Sequence, residues 1–369
     1  METTNASPNI LTEMPKRIPT NGTFELTIRC NLHCKMCLFR HDDIENKDII
    51  DTELTAKQWI NLAKQVADAG TINLLITGGE PMLRSDFCEI WEGIYKQGFI
   101  MHLYTNATMV SPKIISCLQK YPPHKIGVTI YGSCPEIYSK VCGNGNAFFQ
   151  SMAGIKKLMT LPSLLEFRMT CIKDNWQDFF EVEKLIKNEF GADKTLCMTR
   201  LVTKAVRGGC ADVESCRLSP EENVELIRKR REKHLKEIIG RHYEEGTVDF
   251  GRKRNSSANR LSLLGCKAGM STYTISHKGE LLGCQILGLY SVDIKQDGFL
   301  SAWNKFPYII NETKSDKKCI NCKLSGLCCD CYAFRYAETG TLTELPEYIC
   351  QEANVYNRVF FERSKNYEL

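Results

Sequence analysis

Three cysteines fall within eight residues in Arg29-Cys30-Asn31-Leu32-His33-Cys34-Lys35-Met36-Cys37, spaced Cys-x3-Cys-x2-Cys. Three thiolates can hold three irons of a cubane cluster and leave the fourth iron open. A structural metal site normally closes with four ligands, and no fourth cysteine follows nearby. His33 sits between two of the thiols and is expected to point away. Two readings stand at this point: a centre with a position kept for something else, or part of a zinc site. Thr77-Gly78-Gly79-Glu80-Pro81 is a second candidate. Adjacent glycines let backbone groups approach a ligand closely and Glu80 adds a carboxylate, although a plain turn has the same composition. A second cysteine run comprises Cys266-x12-Gly279-x4-Cys284, then Cys319-x2-Cys322-x5-Cys328, Cys331 and Cys350. By spacing alone this run also suits a zinc ribbon.

The elements that would position these groups follow from periodicity. Phe24 to Ile28 alternates and reads as a first strand, with the cysteine loop directly after it. Thr55-Ala56-Lys57-Gln58 resembles a capping box. The helix it opens carries Trp59, Leu62, Ala63 and Val66 on one face and stops at Gly70. A mostly apolar strand at Ile72 to Ile76 leads into Gly78-Gly79-Glu80. The alternation continues with a helix from about Asp86 to Gln97 and a strand at Phe99 to Tyr104. A helix follows at Ser111-Pro112 and a strand at Ile126 to Ile130. A helix at about Phe148 to Met159, a strand at Leu164 to Cys171, a helix from Phe179 to Phe190 and a strand near Lys194 to Arg200 complete the run. Six strand–helix steps predict a parallel sheet with crossover helices, an α/β partial (β/α)6 TIM-like barrel. In such folds ligands gather at the carboxyl ends of the strands. The cysteine loop, Gly78-Gly79-Glu80 and Tyr104 to Thr108 fall there, and Arg168 lies within the fifth strand. Arg168 either points inward to a ligand or closes a layer of the barrel with a salt bridge.

The chain has 369 residues, enough for about two to three domains. We divide it into an arm (1–21), the partial barrel (22–200), a linker with a long charged helix (201–260) and a cysteine-rich module (261–369). A solvated face is the expected role of Arg228-Lys229-Arg230-Arg231 on that helix. The apolar share of 43% is that of a globular protein, and a net charge of +4 does not argue for nucleic acid. The 19 cysteines stand out. With no secretory signal pattern and no apolar run long enough to span a bilayer, they point to a reduced cytoplasm, where clustered cysteines mean metal.

Cys-x3-Cys-x2-Cys after a first strand, with Gly-Gly-Glu-Pro after the second, resembles the radical S-adenosylmethionine (radical SAM) superfamily over roughly residues 22–200. The resemblance implies that Cys30, Cys34 and Cys37 hold a 4Fe–4S cluster whose open iron takes S-adenosylmethionine. It implies that Gly78, Gly79 and Glu80 bind the methionyl amino group and that Met36 packs near the adenine. Asn106 and Arg168 are further cofactor contacts on the same basis. The cysteine-rich module is similar to the SPASM extension of these enzymes, which carries up to two auxiliary 4Fe–4S clusters. On that likeness Cys319, Cys322, Cys328 and Cys350 hold one, and Cys266, Cys284 and Cys331 the other. Two departures stand out. Only two residues separate Cys328 from Cys331, with Cys329 as an extra neighbour, and no thiol immediately precedes Cys266. The first auxiliary cluster therefore has an open iron or takes Cys210, Cys216 or a substrate atom.

The physics agrees with the resemblance. Cleaving a sulfonium carbon–sulfur bond needs an electron of low potential, and all-thiolate clusters reach the low end of the Fe–S range. Members with this extension mostly modify ribosomally made peptides, so the resemblance implies a peptide substrate, crosslinked or oxidised after hydrogen abstraction. It also implies an external electron donor such as a flavodoxin or ferredoxin. Some 20 residues before the first strand are too few for a leader-binding domain, so recognition would fall to the second module, the charged helix or a separate peptide-recognition protein. The alternatives within the superfamily are a small-molecule dehydrogenase or epimerase and Ser/Cys oxidation of the sulfatase-maturation type, and an iron–sulfur or zinc protein without turnover is the reading from a different class. No nucleic-acid or membrane partner is expected.

Overall fold

The computed structural model describes residues 17–40, 46–191, 193–204, 207–208, 213–239, 266–309, 319, 322–328 and 331–362. Six parallel strands form the barrel wall: β1 (Asn21–Glu25), β2 (Asn73–Thr77), β3 (Ile100–Thr105), β4 (Lys125–Thr129), β5 (Leu164–Thr170) and β6 (Leu196–Thr199). Each pairs with the next, in a register that sets Phe24 beside Ile76, Leu103 beside Ile126 and Val128 beside Phe167. The expected parallel α/β partial barrel is therefore present. β1 ends three residues earlier than its alternation predicts. The ladder still continues past it, because the Leu26 N–H donates to Thr77 O (3.0 Å).

Helices cover the outer face: α1 (Asn46–Ile50), α2 (Ala56–Asp68), α3 (Phe87–Tyr95), α4 (Pro112–Lys120), α5 (Pro135–Cys142), α6 (Asn146–Leu158) and α7 (Phe179–Phe190). Thr55 and Gln58 form the predicted capping box of α2, and Trp59, Leu62, Ala63 and Val66 are its buried face. The core lies between sheet and helices. Phe24, Leu74, Leu103, Val128 and Phe167 from the strands meet Trp59, Ile90, Leu118, Ile155 and Ile186 from the helices, all in one buried cluster. Burying each such side chain contributes roughly 1.5–3 kcal/mol. Helix α5 was not anticipated. Its eight residues carry too little periodicity, and tertiary packing of Tyr138, Val141 and Cys142 decides it.

The sheet does not stop at the barrel. A seventh strand, β7 (Thr272–Ile275), lies parallel to β1, and β8 (Glu280–Leu282) and β9 (Ser291–Asp293) follow antiparallel. The order is β6-β5-β4-β3-β2-β1-β7-β8-β9. The start of the second cysteine run is thus built onto the free edge of the first strand. Arg17, in the stretch read as an arm, is tied to the same region. It donates to Gly269 O (2.7 Å) and Trp303 O (3.0 Å) and stacks over the Trp303 ring.

Five further α-helices follow among the described residues, the first four being α8 (Val213–Cys216), α9 (Pro220–Ile239), α10 (Ile294–Ile309, broken at Gly298) and α11 (Tyr332–Thr339). The last is α12 (Glu347–Asn357), which packs on α9. The basic run on α9 is only partly a solvated face. Arg228 pairs with Glu225 and Glu232 on its own helix. Lys229 lies over Trp176 (5.3 Å) and Arg231 over Phe360 (4.5 Å), which clamps α9 against its neighbours. Among the described residues, no helix is long and apolar enough to cross a membrane.

Candidate radical SAM site and its cysteine module

The cysteine loop leaves β1 at the carboxyl end of the barrel and is held there from two sides. On one side, Glu53 accepts from the Thr27 hydroxyl, from Arg29 (2.9 and 2.8 Å) and from Arg84 (3.1 Å). Arg84 is buried and also donates to Leu26 O and Leu54 O. On the other side, the end of α5 pins the loop by two backbone bonds, His33 N–H to Cys142 O and Lys35 N–H to Val141 O (both 3.0 Å). Lys35 adds an ion pair to Asp174 (2.8 Å). His33 is exposed, as its place between ligands suggests, while Met36 is half-buried against the main core.

Gly78 and Gly79 pack against the chain entering this loop. A Cβ on Gly78 would meet Thr27 O at 2.2 Å, and one on Gly79 would meet Arg29 O at 2.2 Å. Gly79 and Glu80 then donate their N–H groups to Thr27 O and Arg29 O (both 2.8 Å). What the glycines visibly permit is therefore a close approach of two backbones, which fixes the root of the cysteine loop. Glu80 is fully buried. It accepts from the Thr105 hydroxyl (3.0 and 2.9 Å), Asn106 N–H (2.9 Å) and Met82 N–H (3.2 Å). Burial pushes its carboxyl up to about 7 despite these donors. The carboxylate that the resemblance assigns to a ligand amino group is here a strut between the ends of β2 and β3. Asn106 passes the link on, because its side-chain amide faces Cys30 Sγ (3.7 Å) and Asn31 Oδ1 (3.1 Å).

The three thiols lie near one another. Burial, then the Glu80 carboxylate, pushes Cys30 up to about 12, and Cys37 adds to it. Cys34 is raised by its hydrogen bond with Cys142 and by burial, and Cys37 by burial. Thiols so disfavoured as free anions need a cationic partner to ionise, and iron supplies one. Among the described residues, no three His, Cys, Asp or Glu side chains converge as ligands of one ion. A cubane takes one thiolate at each of several separate corners, so mutually repelling, spaced thiols that are half-buried or buried fit it.

Arg168 shares one face of β5 with Glu166. It pairs with Glu166 (2.7 Å), donates to the Tyr104 hydroxyl (2.8 Å) and stacks over that ring, while its side chain stays one-third exposed. Lys125 joins Glu166 (3.2 Å) from the neighbouring strand.

In the second cysteine run, Cys284 is raised by burial and by the nearby Cys266, so the two thiols are neighbours. Cys284 and Cys331 pack on the same small apolar cluster of Ala268, Leu287, Phe306 and Ala333. Cys322 N–H donates to Cys319 O and Cys328 N–H to Leu324 O. The fully buried Arg335 on α11 reaches Cys319 Sγ at 4.0 Å. Cys350 is exposed on α12 and Cys216 is buried in the main core. Cys210 and Cys329 lie outside the described residues.

Sequence reasoning missed Arg207. Its guanidinium grips the fully buried Glu25 at the end of β1 with both nitrogens (2.8 and 2.6 Å), donates to Gln285 O beside Cys284 and lies over Phe39, two residues past Cys37. It lines a cavity of about 240 Å³ with Ile28, Phe39, Ile49, His277 and Lys278. An isolated arginine ahead of two glycines in a linker carries no pattern that could have found it.

Comparison with known proteins agrees with this geometry. The chain is 26% identical to the AdoMet-dependent heme synthase of Methanosarcina barkeri (strain Fusaro / DSM 804) over 92% of its own length and 97% of that protein's. It is 26% identical to the AdoMet-dependent heme synthase of Oleidesulfovibrio alaskensis (strain ATCC BAA-1058 / DSM 17464 / G20), over 86% of this chain and 84% of that one. Its fold is similar to that of Streptococcus suis SuiB bound to S-adenosylmethionine (TM-score 0.67, 16% identity, 92% of this chain and 79% of that one). It is equally similar to anSMEcpe with bound AdoMet (TM-score 0.67, 16% identity, 94% and 98%). Residues 24–186, the part of the chain that carries the cysteine loop and the barrel strands β2 to β5, match the model of the Radical SAM superfamily.

Proposed function

We propose that the chain reductively cleaves S-adenosylmethionine at a cluster held by Cys30, Cys34 and Cys37 and takes a hydrogen atom from a peptide, leaving it crosslinked (thioether or carbon–carbon) or oxidised. The observation that carries the first part is the arrangement of one buried and two half-buried thiols beside the Glu80–Thr105–Asn106 strut. When bound, the cluster supplies the electron that splits the sulfonium and so generates the 5′-deoxyadenosyl radical. The chain's own residues supply placement and dryness. Backbone around Gly78 and Gly79, seated by Glu80, meets the methionyl end, Met36 packs near the adenine, and Asn106 and Arg168 face the space above the strands.

The second run would hold auxiliary clusters through Cys319, Cys322, Cys328 and Cys350, and through Cys266, Cys284 and Cys331, and these would take the one electron left on the peptide after hydrogen abstraction while the matching proton goes to solvent. The cavity beside Arg207 lies between the exit of the first loop and the Cys284 hairpin, where a substrate would lie between centres. A peptide is favoured by the shared fold of SuiB, whose structure was also solved bound to precursor peptide SuiA. A second reading, a small molecule such as a heme precursor, is favoured by the heme synthases that align over most of their length. In both, the electron enters from an external donor of the flavodoxin or ferredoxin type.

The test is anaerobic reconstitution with S-adenosylmethionine and a strong reductant. 5′-Deoxyadenosine should form, and should vanish in Cys30→Ala, Cys34→Ala and Cys37→Ala chains. No 5′-deoxyadenosine with the first cluster present and reduced refutes the cleavage reading. Short peptides encoded beside the gene and heme precursors are then offered in parallel. Loss of about two hydrogens from a peptide selects the peptide reading, and turnover of the heme precursor alone rejects it.

A further inference from the structure

The cysteine module is joined to both edges of the six-strand barrel wall. At one edge β7 pairs with β1 through a backbone ladder. β6 forms the other edge, and the chain leaving its carboxyl end meets α11 and α12 through polar side chains. Arg200, one residue past β6, pairs with Glu352 on α12. The other Glu352 oxygen accepts from Asn223 Nδ2 on α9 (3.0 Å), and that amide also reaches the Tyr348 hydroxyl (3.2 Å). Tyr348 in turn donates to Leu218 O (2.9 Å). Arg217 stacks over the Tyr348 ring (4.0 Å) and pairs with Glu338 on α11 (2.8 Å), whose carboxylate also accepts from the Thr203 hydroxyl (2.9 Å). Glu352 is buried at the centre of these contacts. Ile349, Ala353 and Val355 of α12 are buried too, yet among the described residues they join neither the main core nor the small apolar cluster around Ala268. Apolar contact is non-directional, so the hydrogen-bonded side chains set the register of α12 on the barrel.

We propose that Glu352 is a positioning residue that holds Cys350, two residues before it on α12, at a fixed distance from the first cysteine loop. The inference rests on the reading given above that both cysteine runs carry clusters. In that reading one electron passes from the substrate to the module, and a misplacement of about 1 Å can cost a positioned step about a hundredfold in rate. The ladder between β7 and β1 fixes the hairpin that leads to Cys284. Glu352 does at the β6 edge what that ladder does at the β1 edge.

The experiment is pulsed dipolar EPR on the reconstituted, reduced full chain, which reads the distances from the first cluster to those of the module. The signal that responds to added S-adenosylmethionine identifies the first cluster. In Glu352→Gln the iron content and 5′-deoxyadenosine formation should stay those of the parent. The narrow distance to the Cys350 cluster should be lost, while the distance to the Cys284 cluster stays narrow. Both distances unchanged, with every cluster loaded, overturns this inference and leaves the cluster reading standing. A spread of both marks a general loosening and also overturns it. If Glu352→Gln does not load the Cys350 cluster, Arg200→Gln takes its place. It removes the same ion pair from the barrel side, far in sequence from the module's cysteines, and the same outcomes decide. No module cluster in the unsubstituted chain overturns this inference together with the auxiliary-cluster reading, and 5′-deoxyadenosine formation then tests the cleavage reading by itself.

Discussion

Glu80 makes the stability of this chain depend on pH in a direction opposite to that of most carboxylates. Its carboxyl rises from 4.5 to about 7 on burial. The folded chain therefore holds this proton more tightly than the unfolded chain, and stability falls as pH rises from about 4.5 through about 7. A shift of about 2.5 units corresponds to about 3 kcal/mol in total, of which about 2 kcal/mol is lost between about pH 5.5 and about pH 8. Glu80→Gln removes the titration but leaves one of the Met82 and Asn106 N–H groups facing an amide nitrogen, at a cost of about 1–3 kcal/mol. The variant should therefore be less stable than the parent near pH 5.5, and the gap should close by about 2 kcal/mol near pH 8. Urea unfolding of both chains at the two pH values, with equal m-values, reads this difference directly and cancels every other titrating group. Parallel pH profiles would refute the assignment of a proton to buried Glu80.

Three further outcomes follow from the same contacts. Arg207→Ala strands the fully buried Glu25 without its partner and should lower stability by about 3–5 kcal/mol, with Glu25→Gln in the same chain recovering much of it in thermal or urea unfolding. Gly79→Ala drives a Cβ to 2.2 Å from Arg29 O, so the cysteine loop must move. Iron bound per chain after reconstitution should drop even where circular dichroism shows the barrel intact. Cys216→Ala trims a thiol packed in the main core and should cost roughly 1 kcal/mol or less while leaving iron content and the visible absorption of the clusters unchanged. A loss of iron there would make Cys216 a ligand.

The parts of this architecture visible in the sequence are those that local chemistry dictates. The Thr55–Gln58 box, Pro112 at the start of α4 and the apolar faces of the strands depend on residues a few positions apart, and each is found where expected. Cys30, Cys34 and Cys37 are legible because their spacing is a pattern carried within eight consecutive residues. The supports of that loop are not. Arg84, Glu53, Arg207 and the end of α5 reach it from distant stretches, and no periodicity links them. Glu80 shows the same limit in another form. Its type and place are plain, but that it spends both oxygens on the end of β3 depends on a fold that brings Thr105 beside it.

The pairing of β7 with β1 sets an order of events during synthesis. β1 acquires β2 within some fifty residues of chain, but its other edge stays open until Thr272–Ile275 has been made. Until then a short strand presents unpaired backbone groups on the wall that carries the cysteine loop, and Arg17 lacks its acceptors at Gly269 and Trp303. Such an edge invites pairing with other chains, and contacts this distant in sequence form slowly. The barrel's first strand is thus among the last to be completed. Truncation before β7 should yield a chain that aggregates through β1, a hazard that rests on connectivity and owes nothing to the chemistry at the site.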